Sequence, residues 1–332
     1  EEDAELFCIY YHATDRGNWE EENTNVFFRK ESYEQLAKKL GLHDDELVVK
    51  INLARSKILE ARSKRIRPGL DYKILTSWNG LMLKGLCDAY RAFNKQEYLE
   101  LALKNAHFLL NNMVTMGHRL NRIYKENSDG RGEAFLDDYA NVIDAFIALY
   151  EVTFDEEWLH TAIKLTDQAI AHYYDTGKGI FFYTADDDEQ LIARKSEIMD
   201  SVTPASNSVM ANNLKKLSLL FDKENYLAIS AQLLRNVFPQ IARYGSSYSN
   251  WCMLLLNEVF GINEVAITGE NSEQFRIEFE KNYIPNKIIL GGKKGSLPLL
   301  QDKFAAATRI FICKDKTCGL PSENIEEALK QI

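Results

Sequence analysis

Residues 133–152 read EAFLDDYANVIDAFIALYEV, and residues 155–174 read DEEWLHTAIKLTDQAIAHYY. In the first segment Tyr139, Val142, Ile143, Phe146, Ile147, Leu149 and Tyr150 cover most of a helical circumference. Only Asp137, Asn141, Asp144 and Ala148 leave a narrow polar or small strip. A helix that is apolar nearly all round is buried. In the second segment Trp158, Leu159, Ala162, Ile163, Thr166, Ala169, Ile170 and Tyr173 make one stripe, with Glu156, His160, Lys164 and Asp167 opposite it. That is a helix with one wet face. A buried helix joined to a half-exposed one by a tight turn is a hairpin, and its repetition predicts two concentric layers. The chain is therefore expected to be mainly α, an α/α toroid built of helical hairpins.

Working outward, residues 78–93 pair with 96–114 and residues 205–221 with 224–242, while 246–260 begins a fourth pair and stops without a partner. Upstream, 31–40 and 44–65 also have helical spacing. Residues 1–30, with FCIYYHAT and then GNWEEENTNVFFR, predict a strand, a Gly-Asn turn and another extended piece. The connections HRLNRIYKEN and GIFFYTADDDEQLIARKSEIMDSVTP are long enough for short β-ribbons, and each precedes a buried helix. One face of the toroid thus collects the elaborate loops, and a site belongs there. Beyond Gly261 the pattern becomes strand and helix: VAIT, KIIL and RIFIC read as buried strands, with helices over 273–282 and 323–332. The expected domains are 1–262, the helical hairpins, and 263–332, a small α/β appendage.

The chain has 332 residues, 45% of them hydrophobic and 27% charged, with a net charge of −9. Such a balance is ordinary for a globular protein with a real core. No basic cluster exceeds the run at 62–67, which argues against a nucleic-acid partner. No apolar stretch approaches the roughly 20 residues of a membrane span. The first residue is Glu with no signal-type segment behind it, as expected of a fragment. Five scattered cysteines do not make a disulfide scaffold and fit a reducing, cytoplasmic compartment.

Candidate chemistry gathers where the chain passes into the buried helices. Residues 62–81, RSKRIRPGLDYKILTSWNGL, carry Arg65, Asp71, Lys73, Trp78 and Asn79 toward one helix start. There Ser or Thr can cap the first turn and unpaired N–H groups suit a polar or anionic ligand. FLDDYAN brings Asp137 and Asp138 to the second buried helix, PASNS brings Ser206 and Asn207 to the third, and SSYSNW brings Tyr248 to the fourth. Asp138 lies on the wheel beside Val142, Ala145 and Leu149 rather than with the polar strip. A carboxylate there is costly unless paired or hydrogen-bonded, which makes it the best single candidate for a working acid. Trp78, Asp138, Asn207 and Tyr248 are expected around one opening.

The motif order R-x-x-R-x-x-P-x-x-D-x-K-x-L-x-x-W-N-G-L, F-L-D-D-Y-A, D-x-x-x-P-x-S-N-S and C-x-x-x-x-C-x-x-P, with GNWE early and EVAITG late, resembles one family over almost the whole chain. It is the rear portion of the thioredoxin-domain-containing proteins related to spermatogenesis-associated protein 20. The resemblance implies a helical part similar to six-hairpin glycosidases and N-acylglucosamine 2-epimerases. It also implies a thioredoxin-like partner domain and further hairpins bearing a His-Phe-Glu-Lys-Met stretch. Neither occurs in these residues, so the toroid is expected to be incomplete here.

A glycoside hydrolase needs two carboxyl groups across the scissile bond. Asp137 and Asp138 diverge by about 100° around a helix, so a usable pair would join Asp138 to Asp71 or Asp200. Trp78 would then stack on a sugar ring, with Asn79 or Asn207 bonding its hydroxyls and Arg65 or Lys73 compensating Asp138. Histidine acid/base chemistry of the epimerase kind is not favoured, because His12, His43, His107, His118, His160 and His172 all fall away from the buried-helix starts. The plainer reading makes Asp71, Lys73, Asp138 and Asp200 a structural polar network, and Ser206 a helix cap. The acidic run 186–189 reads as a solvated loop without converging metal ligands. Cys313 and Cys318 allow a redox pair but lack the partners for zinc. Cys8, Cys87 and Cys252 read as core residues. The expectation is a carbohydrate-active or sugar-binding domain without a cofactor; its alternative is a non-catalytic scaffold serving a thioredoxin-like domain.

Overall fold

The computed structural model describes all residues except 1, 127–131 and 189–191. The chain gathers into two compact units, Glu1–Asp71 and Tyr72–Ile332, so the division falls in the Pro-Gly loop.

The first unit holds α1 (Glu2–Tyr11), α2 (Tyr33–Leu40) and α3 (Asp44–Ser63). The strand expected from FCIYYHAT is instead α1. A short apolar run does not distinguish strand from buried helix by period alone, and here Tyr10 packs with Leu36, Leu47 and Ile51 of the other two helices. The following turn is pinned by asparagine amides: Asn18 donates to the His12 and Val26 carbonyls and accepts from the Val26 N–H. Ser32 and Gln35 close a reciprocal capping box at α2.

The second unit opens with β1 (Ile74–Leu75), α4 (Thr76–Phe93), α5 (Gln96–Asn112) and β2 (Ile123–Tyr124). It continues with α6 (Leu136–Thr153), α7 (Glu156–Tyr173), β3 (Tyr174–Asp175), β4 (Ile180–Phe181), α8 (Ser206–Phe221), α9 (Glu224–Ile241) and α10 (Ser249–Phe260). Each of the first three inner helices, α4, α6 and α8, packs along its hairpin partner, and α6 lies between α4 and α8, with α10 beyond. The fold is an α/α toroid, present as an arc of three hairpins and a further inner helix, with two short antiparallel ribbons, β1–β2 and β3–β4.

The three hairpin turns share one device. Asn94, Phe154 and Asp222 end their inner helices in the left-handed region, at φ 48°, 56° and 56°. Their N–H groups return to carbonyls of the last helical turn, satisfying acceptors that would otherwise be orphaned. Gly80 lets α4 and α6 approach closely, since a Cβ there would sit 2.8 Å from the Asn141 carbonyl carbon. The glycine of WNGL is thus a packing requirement.

The C-terminal part contains β5 (Asn263–Thr268), α11 (Ser272–Glu280), β6 (Lys287–Gly292), β7 (Arg309–Lys314), β8 (Thr317–Cys318) and α12 (Ile325–Leu329). Its sheet runs β6-β5-β7-β8, parallel between β5 and β6 and antiparallel elsewhere. Val265 and Ile267 face α11 and α12, while Ala266 on the opposite face joins the core of the helical arc. Both faces are covered, which is why the strands read as continuous apolar runs. Glu151 accepts from the Ile289 N–H at 3.1 Å and Tyr150 from the Gly291 N–H at 3.3 Å, tying the sheet to α6. Cys313 and Cys318 form a disulfide across β7 and β8, while Cys8, Cys87 and Cys252 are free. Cys8 is exposed, not a core residue as expected. No described helix is long and apolar enough to cross a membrane.

Candidate functional site

The starts of the inner helices do meet at one end, and carboxylates join them. Asp138, fully buried in the first turn of α6, accepts from the Ser77 N–H of α4 at 2.8 Å, from the Phe135 N–H at 2.9 Å and from Arg122 at 2.9 Å. Thr76 and Ser77, expected to cap α4 themselves, do not: Leu75 is the cap position without a side-chain bond, Thr76 donates to the Asn121 carbonyl, and Asp138 supplies the acceptor. Asp200 repeats the arrangement between α8 and α10. It accepts from the Ala205 N–H at 2.9 Å, the Ser208 hydroxyl at 3.0 Å and the Asn250 N–H at 2.8 Å. Asn207 is buried and bonded to both backbone groups of Phe181, while the Ser206 N–H donates to Glu197. The Leu136 N–H meets the Tyr183 carbonyl, completing the chain of contacts from α4 to α10.

These residues are therefore consumed by the fold rather than arranged around an opening. Tyr248 is buried in the core. Trp78 is 68% exposed on the outer surface, and Asn79 lines a shallow groove between α4 and α5 with Met82, Leu86 and Phe108. Asp137 shares Arg122 with Asp138, at 3.2 Å. Arg65 and Asp71 belong to the first compact unit and Lys73 is exposed in the second, where the cation paired with Asp138 is Arg122. Burial, with Asp137 beside it, pushes the Asp138 carboxyl up to about 7, against the Phe135 N–H, Arg122 and the Ser77 N–H. All three partners donate, so they favour the ionised form.

A concave cleft of about 500 Å³ runs instead along the inner helices, from Pro204 and Asn250 beside the caps to Glu151 and Asn257. Its walls carry Lys84 and Arg91 from α4, Asn141, Asp144 and Glu151 from α6, Asn212 and Lys216 from α8, and Asn250 and Asn257 from α10. Glu280, Tyr283 and Lys287 of the C-terminal part complete the lining. Asp144 stands 3.3 Å from Lys84 and 3.4 Å from Lys216. Burial opposes its charge, yet the two lysines outweigh burial and hold the carboxyl below its ordinary value. Further along, Arg91 pairs with Asp88 and Glu151 at 2.9 Å and with Glu280 at 3.1 Å. Arg276, fully buried behind, pairs with Glu280 and stacks over Tyr90.

Apart from Asn141 and Asp144 of the narrow strip on α6, the cleft residues escaped the sequence reading. A signal existed: Lys84–Asp88–Arg91, Asn141–Asp144–Glu151, Asn212–Lys216 and Asn250–Asn257 all recur at helical spacing on otherwise apolar helices. As to metals, His172, Asp186 and Asp187 are the described group whose ligand atoms converge. Asp187 is already held by two bonds of 2.7 Å to Arg119 and Asp186 lies 3.0 Å from His172, an ion-paired loop. Residue 189 of that acidic run lies outside the described residues.

Residues 74–237 match the profile of the β-L-arabinofuranosidase GH127 catalytic domain, and the helical arc is a glycosidase-like domain. The chain is 25% identical to human spermatogenesis-associated protein 20 over 348 residues, which cover 96% of the chain and 44% of that protein. It is 31% identical to an uncharacterized Caenorhabditis elegans protein over 351 residues, covering 98% and 48%. The chain thus spans about half the length of the curated relatives it matches. Among solved structures, the GH76 α-mannanase BT2949 of Bacteroides thetaiotaomicron aligns with a TM-score of 0.43 at 20% identity, covering 53% of this chain and 46% of that one. Cellobiose 2-epimerase from Bacillus thermoamylovorans aligns with a TM-score of 0.41 at 12% identity, covering 62% and 57%.

Proposed function

The chain is a homologue of spermatogenesis-associated protein 20, and from that premise we propose that its glycosidase-like arc binds a small polyhydroxylated molecule, a sugar, in the concave cleft. The observation that carries this reading is the make-up of that cleft. Four asparagine amides and the Lys84–Asp144–Lys216 cluster project from inner helices, with Leu81, Val209 and Met253 between them. Alternating amide, charge and small apolar surface suits a ring with hydroxyls on its edge and C–H groups on its face. A cleft of about 500 Å³ lies within the range of small-molecule sites.

Turnover through Asp138 is not part of the proposal. A general acid must reach the bond it protonates, and Asp138 is 0% exposed with both oxygens engaged. The same fact favours a second reading, a non-catalytic scaffold beside a thioredoxin-like domain in the longer protein. The proposal carries with it a cytoplasmic setting, in which the Cys313–Cys318 bond would be open to reduction by the thiol pool.

The test is a melting-temperature screen of the protein against glucose, mannose, galactose, arabinose and their common disaccharides. A reproducible rise with at least one sugar, lost in Asn212→Ala, is the expected outcome. A flat response to the whole panel would favour the scaffold reading.

A further inference from the structure

The ionic groups lining the cleft balance in number, with Asp88, Asp144, Glu151 and Glu280 against Lys84, Arg91, Lys216 and Lys287, but not in placement. Asp144 has two lysines within 3.4 Å, and Glu280 has Arg91 at 3.1 Å and Arg276 behind it. Glu151 and Asp88 share Arg91. With these pairings made, Lys287 is the cation left over among the described lining residues. Its Nζ donates to the Ile284 carbonyl at 3.2 Å, and no carboxylate of the described residues reaches it at salt-bridge distance. Ile284, Pro285 and Ile288 flank it, and Glu280 and Glu151 act on it from beyond salt-bridge distance. A charge among such neighbours is poorly solvated, and a counter-charge there is worth more than in water.

We propose that the ligand of this cleft is an anionic sugar derivative, whose carboxylate or phosphate pairs with the Lys287 ammonium while its hydroxyls reach toward the Asp144 cluster. This rests on the reading of the cleft as a sugar site. The spacing is suitable. Glu151, which accepts from the Ile289 N–H two residues after Lys287 on β6, lies seven residues beyond Asp144 on α6, about 10 Å along the helix axis. One charged station is thus separated from the other by the length of an acidic monosaccharide or a short disaccharide. Burial also lowers the proton affinity of Lys287, against the pull of Glu280 and Glu151, and an anion beside it would restore that affinity.

The experiment is calorimetric titration of the protein with glucose, glucuronate and glucose 6-phosphate, and with the mannose and galactose counterparts. Wild type, Lys287→Met and Lys287→Arg are compared. The inference expects at least one acidic derivative to bind about ten-fold or more tightly than its neutral parent. It expects Lys287→Met to remove that preference for the acidic derivative over its neutral parent, and Lys287→Arg to keep it. The uronate and phosphate arms separate the two sources of negative charge. Equal affinity for neutral and acidic sugars overturns this inference and leaves the cleft reading standing. No binding by any probe overturns both, and so would a preference untouched by Lys287→Met overturn the role given to that residue.

Discussion

Asp138 and Asp144 stand six residues apart on α6 in opposite surroundings. Asp138 is fully buried, and its acceptors are taken by two backbone N–H groups and Arg122. Asp144 lines the cleft between two lysines. The first shift has a definite consequence for stability. With its carboxyl raised to about 7 from an ordinary 3.8, folded Asp138 holds a proton that the unfolded chain has released between those values. Its contribution therefore falls as pH rises through that window. Asp138→Asn should cost more stability at pH 5 than at pH 7 and change little beyond, as read by urea unfolding at each pH. A cost that grows with pH would mean that Arg122 and the two N–H groups keep the carboxylate ionised throughout. The wheel position of Asp138 was legible in the sequence because one-sided burial follows from helical period. Its partner was not: Arg122 arrives from a connecting ribbon, and no periodicity relates a loop residue to a helix 16 residues on.

At the scale of elements, the hairpins were readable because α6 and α7 differ in how much of their circumference is apolar. Their ends were less so. The starts of α4 and α8 are capped by carboxylates from other segments, Asp138 and Asp200, a tertiary event that Ser and Thr in the local sequence imitate. The glycines of α4 give a paired test of the packing. A Cβ at Gly80 would collide with α6 backbone at 2.8 Å, whereas Gly85 is exposed with nothing within 4 Å. Gly80→Ala should destabilise by about 1–3 kcal/mol through overpacking. Gly85→Ala should stabilise by roughly 0.5–1 kcal/mol through helix propensity. Denaturant midpoints decide; two changes of the same sign would mean that α4 and α6 are not in close contact at Gly80.

For the molecule as a whole, the toroid layering was predictable and the position of the proposed binding surface was not. The loops at the helix starts attract attention because they are rich in Asp, Ser, Asn and Trp, yet those groups close the end of the arc. The concave face is assembled from single polar residues on four helices and from a C-terminal sheet that α6 anchors through Glu151 and Tyr150. Only the assembled structure brings Asp144, Lys216 and Lys287 to one cleft.

The most direct measurement of where the site lies is calorimetric titration of wild type, Asp144→Asn and Asp138→Asn with whichever probe sugar gives the largest melting shift, with circular dichroism recorded for each. The account predicts that Asp144→Asn retains its fold and binds about ten-fold or more weakly. It predicts that Asp138→Asn melts at a lower temperature near pH 5 yet, where folded, binds within about two-fold of wild type, less than half a kcal/mol. Loss of binding in folded Asp138→Asn with affinity unchanged in Asp144→Asn would return the site to the helix starts and contradict it.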